Sequence, residues 1–307
     1  MKKTCIVTFY HFASLDDYQD IQVRLLHRCL HEGIMGTVLL AEEGINGTIA
    51  GSDASVAKIL TYIRSDRRLS DLVHKISYAD KPPFLRMKVR IKKEIVTMGI
   101  PNLSPENTVG TYVEPVDWNN LITDPDVLLI DTRNKYEIEI GSFANSINPE
   151  TTSFREFPHW VEKNGSFLRD KKIAMFCTGG IRCEKSTSYL KEKGYKEVFH
   201  LKGGILKYLE EVPSKDSLWK GECFVFDERV SVGHNLKVGS YALCHACRHA
   251  INEHDKLSPL YKLGISCPKC YKITSDIQKE RFKERQKQVD LAKARNEVHI
   301  GSKPIFS

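Results

Sequence analysis

Lys172-Ile-Ala-Met-Phe-Cys177-Thr-Gly-Gly-Ile-Arg182-Cys183 is the stretch on which the reading of this chain turns. Its first five residues form a short apolar run of the kind a buried strand makes, and residues 184–193 read as a helix closed by Gly194. A cysteine at the carboxyl end of a strand, followed by a glycine-bearing loop and then a helix, makes a cradle for an anion. The loop amides converge on the sulfur, and the helix N-terminus adds partial positive charge. Both effects favour the thiolate, which is the nucleophilic form. Cys177 and Arg182 are therefore the candidate catalytic residues, with Thr178, Gly179, Gly180 and Ile181 forming the loop between them. Taking Cys177 as a mere buried hydrophobe leaves Gly179 and Gly180 without purpose and leaves the fixed charge of Arg182 without an anion. Cys183 admits three readings, as core, as resolving thiol or as neither.

Working outward, residues 127–131 form a continuous apolar strand of the type found in a parallel sheet covered on both faces. Strands at 172–176 and 198–201 alternate with helical stretches near 153–163, 184–193 and 206–211, which is α/β logic with right-handed crossovers. Open sheets of this class place their sites at the carboxyl ends of strands, where Cys177 lies. This domain is expected over residues 116–213. Upstream, strands at 5–12, 35–40, 45–50, 72–78 and 87–98 alternate with helices at 15–31, with Ser14 as N-cap, and from Ser52 to about residue 63. The order β-α-β-β-α-β predicts a ferredoxin-like domain over residues 1–100. Residues 101–115, rich in Pro and Asn, read as a linker. Residues 214–307 form a smaller third region with a short strand at 223–227.

The 307 residues, 41% hydrophobic and 28% charged, suit a water-soluble protein of several domains. No apolar run nears the roughly 20 residues a membrane span needs. The N-terminal apolar run meets Asp16 and Asp17 and lacks a small-residue cleavage site, so it reads as a strand, and a cytoplasmic location is expected. Net charge is +7, and it is local. Lys81, Arg86, Lys88, Arg90, Lys92 and Lys93 stand against Glu94 alone, and 276–295 carries a further cationic excess. Such patches suit a polyanion, with Arg86, Lys88, Arg90, Lys92 and Lys93 as RNA-contact candidates; solvated faces are the alternative. The helical stretch at 276–295 has only a thin apolar stripe and reads as a solvated helix or a tail.

Cys244-His-Ala-Cys247 and Cys267-Pro-Lys-Cys270 lie 19 residues apart. Two such hooks present four thiolates to one tetrahedral ion, so a structural Zn2+ is expected at Cys244, Cys247, Cys267 and Cys270; a redox pair or free thiols are the alternatives.

The middle of the chain resembles a rhodanese domain. The resemblance rests on Leu129-Ile-Asp131-Thr-Arg133, Tyr136-Glu137, Gly141-Ser-Phe, Ala144-Asn-Ser-Ile147-Asn-Pro149, the Cys177–Arg182 loop and Leu201-Lys-Gly203-Gly204-Ile205. Ser142 stands where rhodaneses usually carry His. The Cys-x4-Arg spacing resembles the sulfur-handling branch, one residue tighter than the loop of cysteine phosphatases. Over nearly its whole length the chain is similar to the bacterial rhodanese-related tRNA uridine hydroxylases. That match is carried by Glu43-Gly44-Ile45-Asn46-Gly47, Leu85-Arg-Met-Lys-Val-Arg90, Cys177-Thr-Gly-Gly-Ile-Arg-Cys-Glu-Lys185 and Phe224-Val-Phe-Asp-Glu-Arg229. The resemblance implies an acylphosphatase-like N-terminal domain and O2-dependent 5-hydroxylation of the wobble uridine of tRNA, with an electron donor it does not name. It also implies that Cys177 carries a persulfide. The partner it implies is the tRNA anticodon loop; neither DNA nor membrane is expected, and the oligomeric state is left open.

Asp131 and Arg133 are expected to brace the loop or the substrate. Phe84, Phe154, Phe157 and Trp160 are expected either to stack on an unpaired base or to sit in the core. A persulfide sulfurtransferase and a non-enzymatic RNA-binding scaffold are the competing functions.

Overall fold

The computed structural model describes residues 3–296; Met1, Lys2 and residues 297–307, the ends of the expected first and third regions, lie outside the described residues. The first sheet is built from β1 (Thr4–Phe12), β2 (Met35–Ala41), β3 (Gly44–Gly51), β4 (His74–Ala79) and β5 (Met87–Ile91), in the order β4-β1-β3-β2-β5. Helices α1 (Tyr18–His31) and α2 (Asp53–Arg64) cover one face. The two-residue period of β1 sends Cys5, Val7 and Phe9 into the core beneath these helices. Ile21, Leu25 and Cys29 of α1, and Val56, Ile59, Leu60 and Ile63 of α2, answer them at helical spacing. Ser52 caps α2 by accepting from Ser55 N, as expected.

Two expectations move. Helix α1 starts at Tyr18 after Asp17, not at residue 15 after Ser14. The amides of Ala13 and Leu15 are taken by Glu43 O and Glu42 O, which holds that stretch on the β2–β3 turn. Strand β5 stops at Ile91, not at residue 98. Beyond it, Asn46 Nδ2 donates to Ile95 O, and the Glu43 carboxylate accepts from Ile95 N, so side chains replace the ladder.

The second sheet comprises β6 (Thr111–Val113), β7 (Val127–Asp131), β9 (Lys172–Phe176) and β10 (Val198–Leu201), all parallel, in the order β6-β10-β9-β7, with a short β8 (Gly141–Phe143) outside it. Helices α3 (Pro115–Ile122), α4 (Lys135–Ile138), α5 (Phe157–Lys163), α6 (Gly165–Leu168), α7 (Ile181–Glu192) and α8 (Gly204–Glu211) connect and cover it. The expected linker thus supplies an edge strand: Tyr112 pairs with His200 in parallel register. Helix α7 starts at Ile181, three residues before the sequence signal, because Gly180 at φ 107° turns the chain directly into it.

The third region adds β11 (Trp219–Gly221) to β8, then two small hairpins, β12 (Cys223–Phe224) with β13 (Ser231–Val232) and β14 (Ala242–Leu243) with β15 (Ala250–Ile251). The strand expected over 223–227 is cut short because the Asp227 carboxylate accepts from Arg229 N and turns the chain. After α9 (Glu253–Leu257), the charged segment forms α10 (Asp276–Ala294), opened by a Ser275–Gln278 capping box and burying Ala292 alone. It is a solvated helix.

The uncovered face of the first sheet meets the second domain. Cross-strand register places Lys75, Thr8, Thr48, Thr37 and Lys88 in one row across all five strands on that face. Lys185, 1% exposed, leaves α7 to pair with Glu43 at 2.7 Å and Glu94 at 2.6 Å, locking the two domains together. Arg229 Nη1 to Ser77 Oγ, at 2.8 Å, ties in the third region. Removing the shared cation strands two converging carboxylates. Lys185→Ala should therefore lower unfolding stability by roughly 3 kcal/mol in urea titration, and Lys185→Ala with Glu43→Gln should recover part of that loss. An unchanged midpoint for the single variant would refute the lock.

Candidate active site

Strand β9 ends at Phe176, so Cys177 sits at the carboxyl end of the central pair of strands, fully buried. Gly180 N donates to its sulfur at 3.1 Å. Gly203 and Gly204, both at positive φ, begin α8 close beneath the loop. A Cβ on Gly204 would come within 2.5 Å of Cys177 O and 2.7 Å of Gly180 N, so only glycine lets the two turns nest. Ile205 N and Leu206 N donate to Cys177 O and Thr178 O, fixing the loop from below.

Burial opposes charge on Cys177. The Cys183 thiol, the Arg182 guanidinium and the Cys183 and Gly180 amides outweigh that penalty and hold the Cys177 thiol below its usual range. Burial and the neighbouring Cys177 sulfur push the Cys183 thiol well up, so it stays protonated and can donate to Cys177. Cys183 also lies 3.8 Å from Thr132 Oγ1, in the first turn of α7.

Arg182 does not reach out as a free cation. Its two terminal nitrogens bind Glu137 at 2.6 and 2.7 Å, a bidentate pair inside the protein, with Thr178 Oγ1 3.3 Å away. Burial alone would neutralise Glu137, but Arg182 keeps its carboxylate ionised. Asp131 and Arg133 form a second buried pair at 2.6 Å. Arg133 also donates to Glu137 O and Gly141 O and lies 5.1 Å from the Trp219 ring centre. Both are thus far from any solvent-facing position and brace the α4–β8 segment that presents Glu137. Ser142, at the position where rhodaneses carry His, donates to Asp131 Oδ2 at 2.7 Å.

The first domain and the edge strand β6 supply the rest of the site, which motif reading missed. Lys75 Nζ donates to Gly179 O at 2.9 Å, and burial lowers its pKa to about 8. Tyr10 and Tyr112 both donate to Glu184, at 2.8 and 2.7 Å. These groups border a cleft of about 720 Å³ that reaches Gly203, Lys202 and Lys207. The available signal was α7 itself: a helix too polar for a core, yet one that follows a catalytic loop directly, as Arg182-Cys-Glu-Lys185 does.

Elsewhere, Arg86, Lys88, Arg90, Lys92 and Lys93 lie on and just beyond β5, with Arg86, Arg90, Lys92 and Lys93 exposed and Lys88 half-buried. Phe154 and Phe157 are core residues, Trp160 packs against the same cluster, and only Phe84 lines a surface cleft. Ligand atoms of Cys244, Cys247, Cys267 and Cys270 all lie within 4.8 Å of one another, a group that could hold a metal ion.

Because the folded Cys177 pKa is depressed, the thiolate persists down to a lower pH than an ordinary thiol and is lost as pH falls through the folded value. The ultraviolet thiolate absorbance of wild type minus Cys177→Ser should therefore still be present well below the ordinary thiol pKa of about 8.5. Cys183→Ala should move that titration upward. A wild-type titration at the ordinary value would refute the cradle.

Comparison with known proteins agrees with this architecture. The UPF0176 acylphosphatase-like domain matches residues 4–95 and the rhodanese-like domain matches residues 114–211. Two solved structures are similar over about a third of the chain. A rhodanese-related protein from Thermoplasma volcanium is 28% identical, covering 33% of this chain and 93% of its own, with a TM-score of 0.28. A rhodanese-like domain protein from Staphylococcus aureus is 20% identical, covering 32% and 90%, with a TM-score of 0.27. The tRNA uridine(34) hydroxylase of Agrobacterium fabrum is 54% identical over 296 residues, spanning 96% of this chain and 94% of that protein. Identity of that extent, with both domains and the cysteine loop in place, makes this chain a member of the tRNA uridine(34) hydroxylase family.

Proposed function

We propose that this protein is a tRNA-modifying oxidoreductase that hydroxylates C5 of uridine 34, with Cys177 as its reactive centre. The observation that carries the reading is the buried Cys177 sulfur held as an anion by the loop amides, Cys183 and Arg182, directly against a polar sheet face of a second domain. A bare sulfurtransferase loop needs no such second wall. In this reading, O2 is the co-substrate: one oxygen atom forms the C5–OH bond, and the other leaves as water, taking two electrons from an external donor and two protons. Cys177 and its persulfide form the reacting sulfur. Arg182 and Glu137 hold the loop in shape, and Lys75 offsets negative charge on the loop from the other domain. The anticodon loop is the RNA segment presented, because its bases are unpaired and can be drawn out of the stack. Arg86, Lys88, Arg90, Lys92 and Lys93 are assigned to its phosphates.

Nucleoside mass spectrometry of bulk tRNA from a deletion strain is the test. 5-Hydroxyuridine and its derivatives should fall and be restored by wild type but not by Cys177→Ser. Full restoration by Cys177→Ser would refute the role of the sulfur. The Cys-x4-Arg loop also favours a second reading, persulfide transfer to a small thiophile. Thiocyanate formation with no change in 5-hydroxyuridine would select it.

We assign the four-cysteine group to structural Zn2+. Tetrahedral ligands at about 2.3 Å place sulfurs about 3.8 Å apart, and Cys267 lies 3.7 Å from both Cys247 and Cys270. The cysteines ligate as thiolates, which fits a reducing cytoplasm. Metal analysis should find one zinc per chain, lost in Cys267→Ser together with the protease resistance of residues 241–275. A zinc-free wild type of full stability would refute the assignment.

A further inference from the structure

At the far edge of the first sheet from Lys75, a cleft of about 830 Å³ is walled by all three parts of the chain. Strand β5 and the segment before it supply Phe84, Arg86 and Lys88. The rhodanese-like domain supplies Tyr136. The third region supplies Phe226 and, from the Cys244–Cys247 hook, Arg248. Two features stand out against the rest of the surface. Among the described residues, the side chains of Arg86, Lys88, Arg90 and Arg248 have no carboxylate partner. They are close enough to one another that Lys88 is made more acidic, by burial first and then by those three cations. Of the acidic residues at the cleft, Asp227 is consumed by Arg229 at 2.6 Å, which leaves the exposed Glu228 as one carboxylate against four cations. The aromatic wall is also unusual: Phe226 is 63% exposed beside Phe224 and Tyr136, a large apolar surface left in water at the centre of a cationic rim.

Crowded cations in excess of their counter-charges are retained at a cost unless a polyanion neutralises them. Exposed rings among such cations are the combination that binds single-stranded nucleic acid, phosphates on the cations and base faces on the rings. A row of side chains on one sheet face runs from the cleft toward the Cys177 loop. Thr37 and Lys88 in its wall are the first two members of the row Lys88–Thr37–Thr48–Thr8–Lys75, and Lys75 holds Gly179 of the Cys177 loop. The hydroxyls of Thr8 and Thr48 lie 3.1 Å apart along it.

We propose that the cysteine-hook region is an RNA-binding wall as well as a structural module: Arg248 and Phe226 close the cleft over β5, and single-stranded RNA enters there and follows the threonine row toward Cys177. The proposal rests on the tRNA reading above and extends it to residues outside the basic strand. Arg248 takes a phosphate and Phe226 stacks on a base, while the hook holds Arg248 in its left-handed turn, with Arg248 N bonded to Cys244 O at 2.8 Å.

The test uses the full-length protein and a fluorescein-labelled anticodon stem-loop RNA with unmodified uridine at position 34, by anisotropy across a salt series. Arg248→Gln should bind about fivefold more weakly near physiological salt, with the logarithmic salt slope reduced by about one. Phe226→Ala should bind about fivefold more weakly with its slope unchanged, because stacking releases no counterions. Arg169→Gln, exposed and outside the cleft, should match wild type. If both cleft variants bind like a wild type that itself shows salt-dependent affinity, the cleft assignment is overturned and the tRNA reading survives. If wild type shows no such affinity, the tRNA reading falls and takes this one with it. Equal losses on a fully paired RNA duplex would overturn the single-strand assignment.

Discussion

Helix α7 enters the protein interior carrying Arg182, Glu184 and Lys185 in its first turns, and each charge must be matched before anything can close around the Cys177 loop. Every residue from Arg182 to Leu190 is buried, including the charged side chains of Arg182, Glu184 and Lys185 and the hydroxyls of Ser186, Thr187 and Ser188. The matching comes from three directions. Glu137 of the same domain clamps Arg182, Tyr10 and Tyr112 converge on Glu184, and Glu43 and Glu94 clamp Lys185. Tyr10 and both carboxylates around Lys185 come from the first domain, so the rhodanese-like fold alone would leave Glu184 with Tyr112 only and Lys185 without a partner. The loop and the first domain are therefore tied into one unit, built around a polar helix.

That constraint explains the composition of the first sheet. Its helix-covered face is apolar in the ordinary way, with Val7, Phe9, Val38 and Ile49 beneath α1 and α2. The other face holds only a small apolar patch of Ile6, Ala50 and Ala79 with Phe84, and its central row is threonine and lysine. A polar face cannot drive association by burial; it is held by specific hydrogen bonds and ion pairs, which leave room between them. Two clefts border this face, one lined by Tyr10, Lys75, Tyr112 and Glu184 and one at the β5 edge. Cys177 itself is buried, and Lys75, which borders the first cleft, holds its loop at Gly179.

Much of this was legible in residues 172–183. An apolar strand, a cysteine, two glycines and an arginine at fixed spacing dictate a strand-loop-helix cradle, because few other conformations satisfy the glycines and the charge together. Strands β7, β9 and β10 have the ends that their apolar runs indicate. In the first domain, bounds moved where tertiary partners took over backbone groups, at the end of β5 (Glu43 and Asn46) and at the start of α1 (the β2–β3 turn), whereas α7 and β12 moved through the local turns at Gly180 and Asp227. Strand β6 was invisible because three residues in a Pro/Asn-rich segment carry no periodicity and become a strand only beside β10. Arg182 read as a free cation beside the sulfur, and it proved to be committed to Glu137, a partner 45 residues earlier in the chain.

By itself, the sequence determined what depends on neighbours along the chain: the strand and helix order of each domain, the cysteine loop, and the two hooks whose spacing suits one ion. Family membership rests on the same linear information. Only the tertiary structure decided which residues share a site, because Lys75, Tyr10, Tyr112 and Glu184 are scattered over 174 positions and meet through the packing of two domains. Their charges and hydroxyls look like solvated surface in one dimension. Burial against α7 is what turns them into partners, and burial is a property of the folded chain.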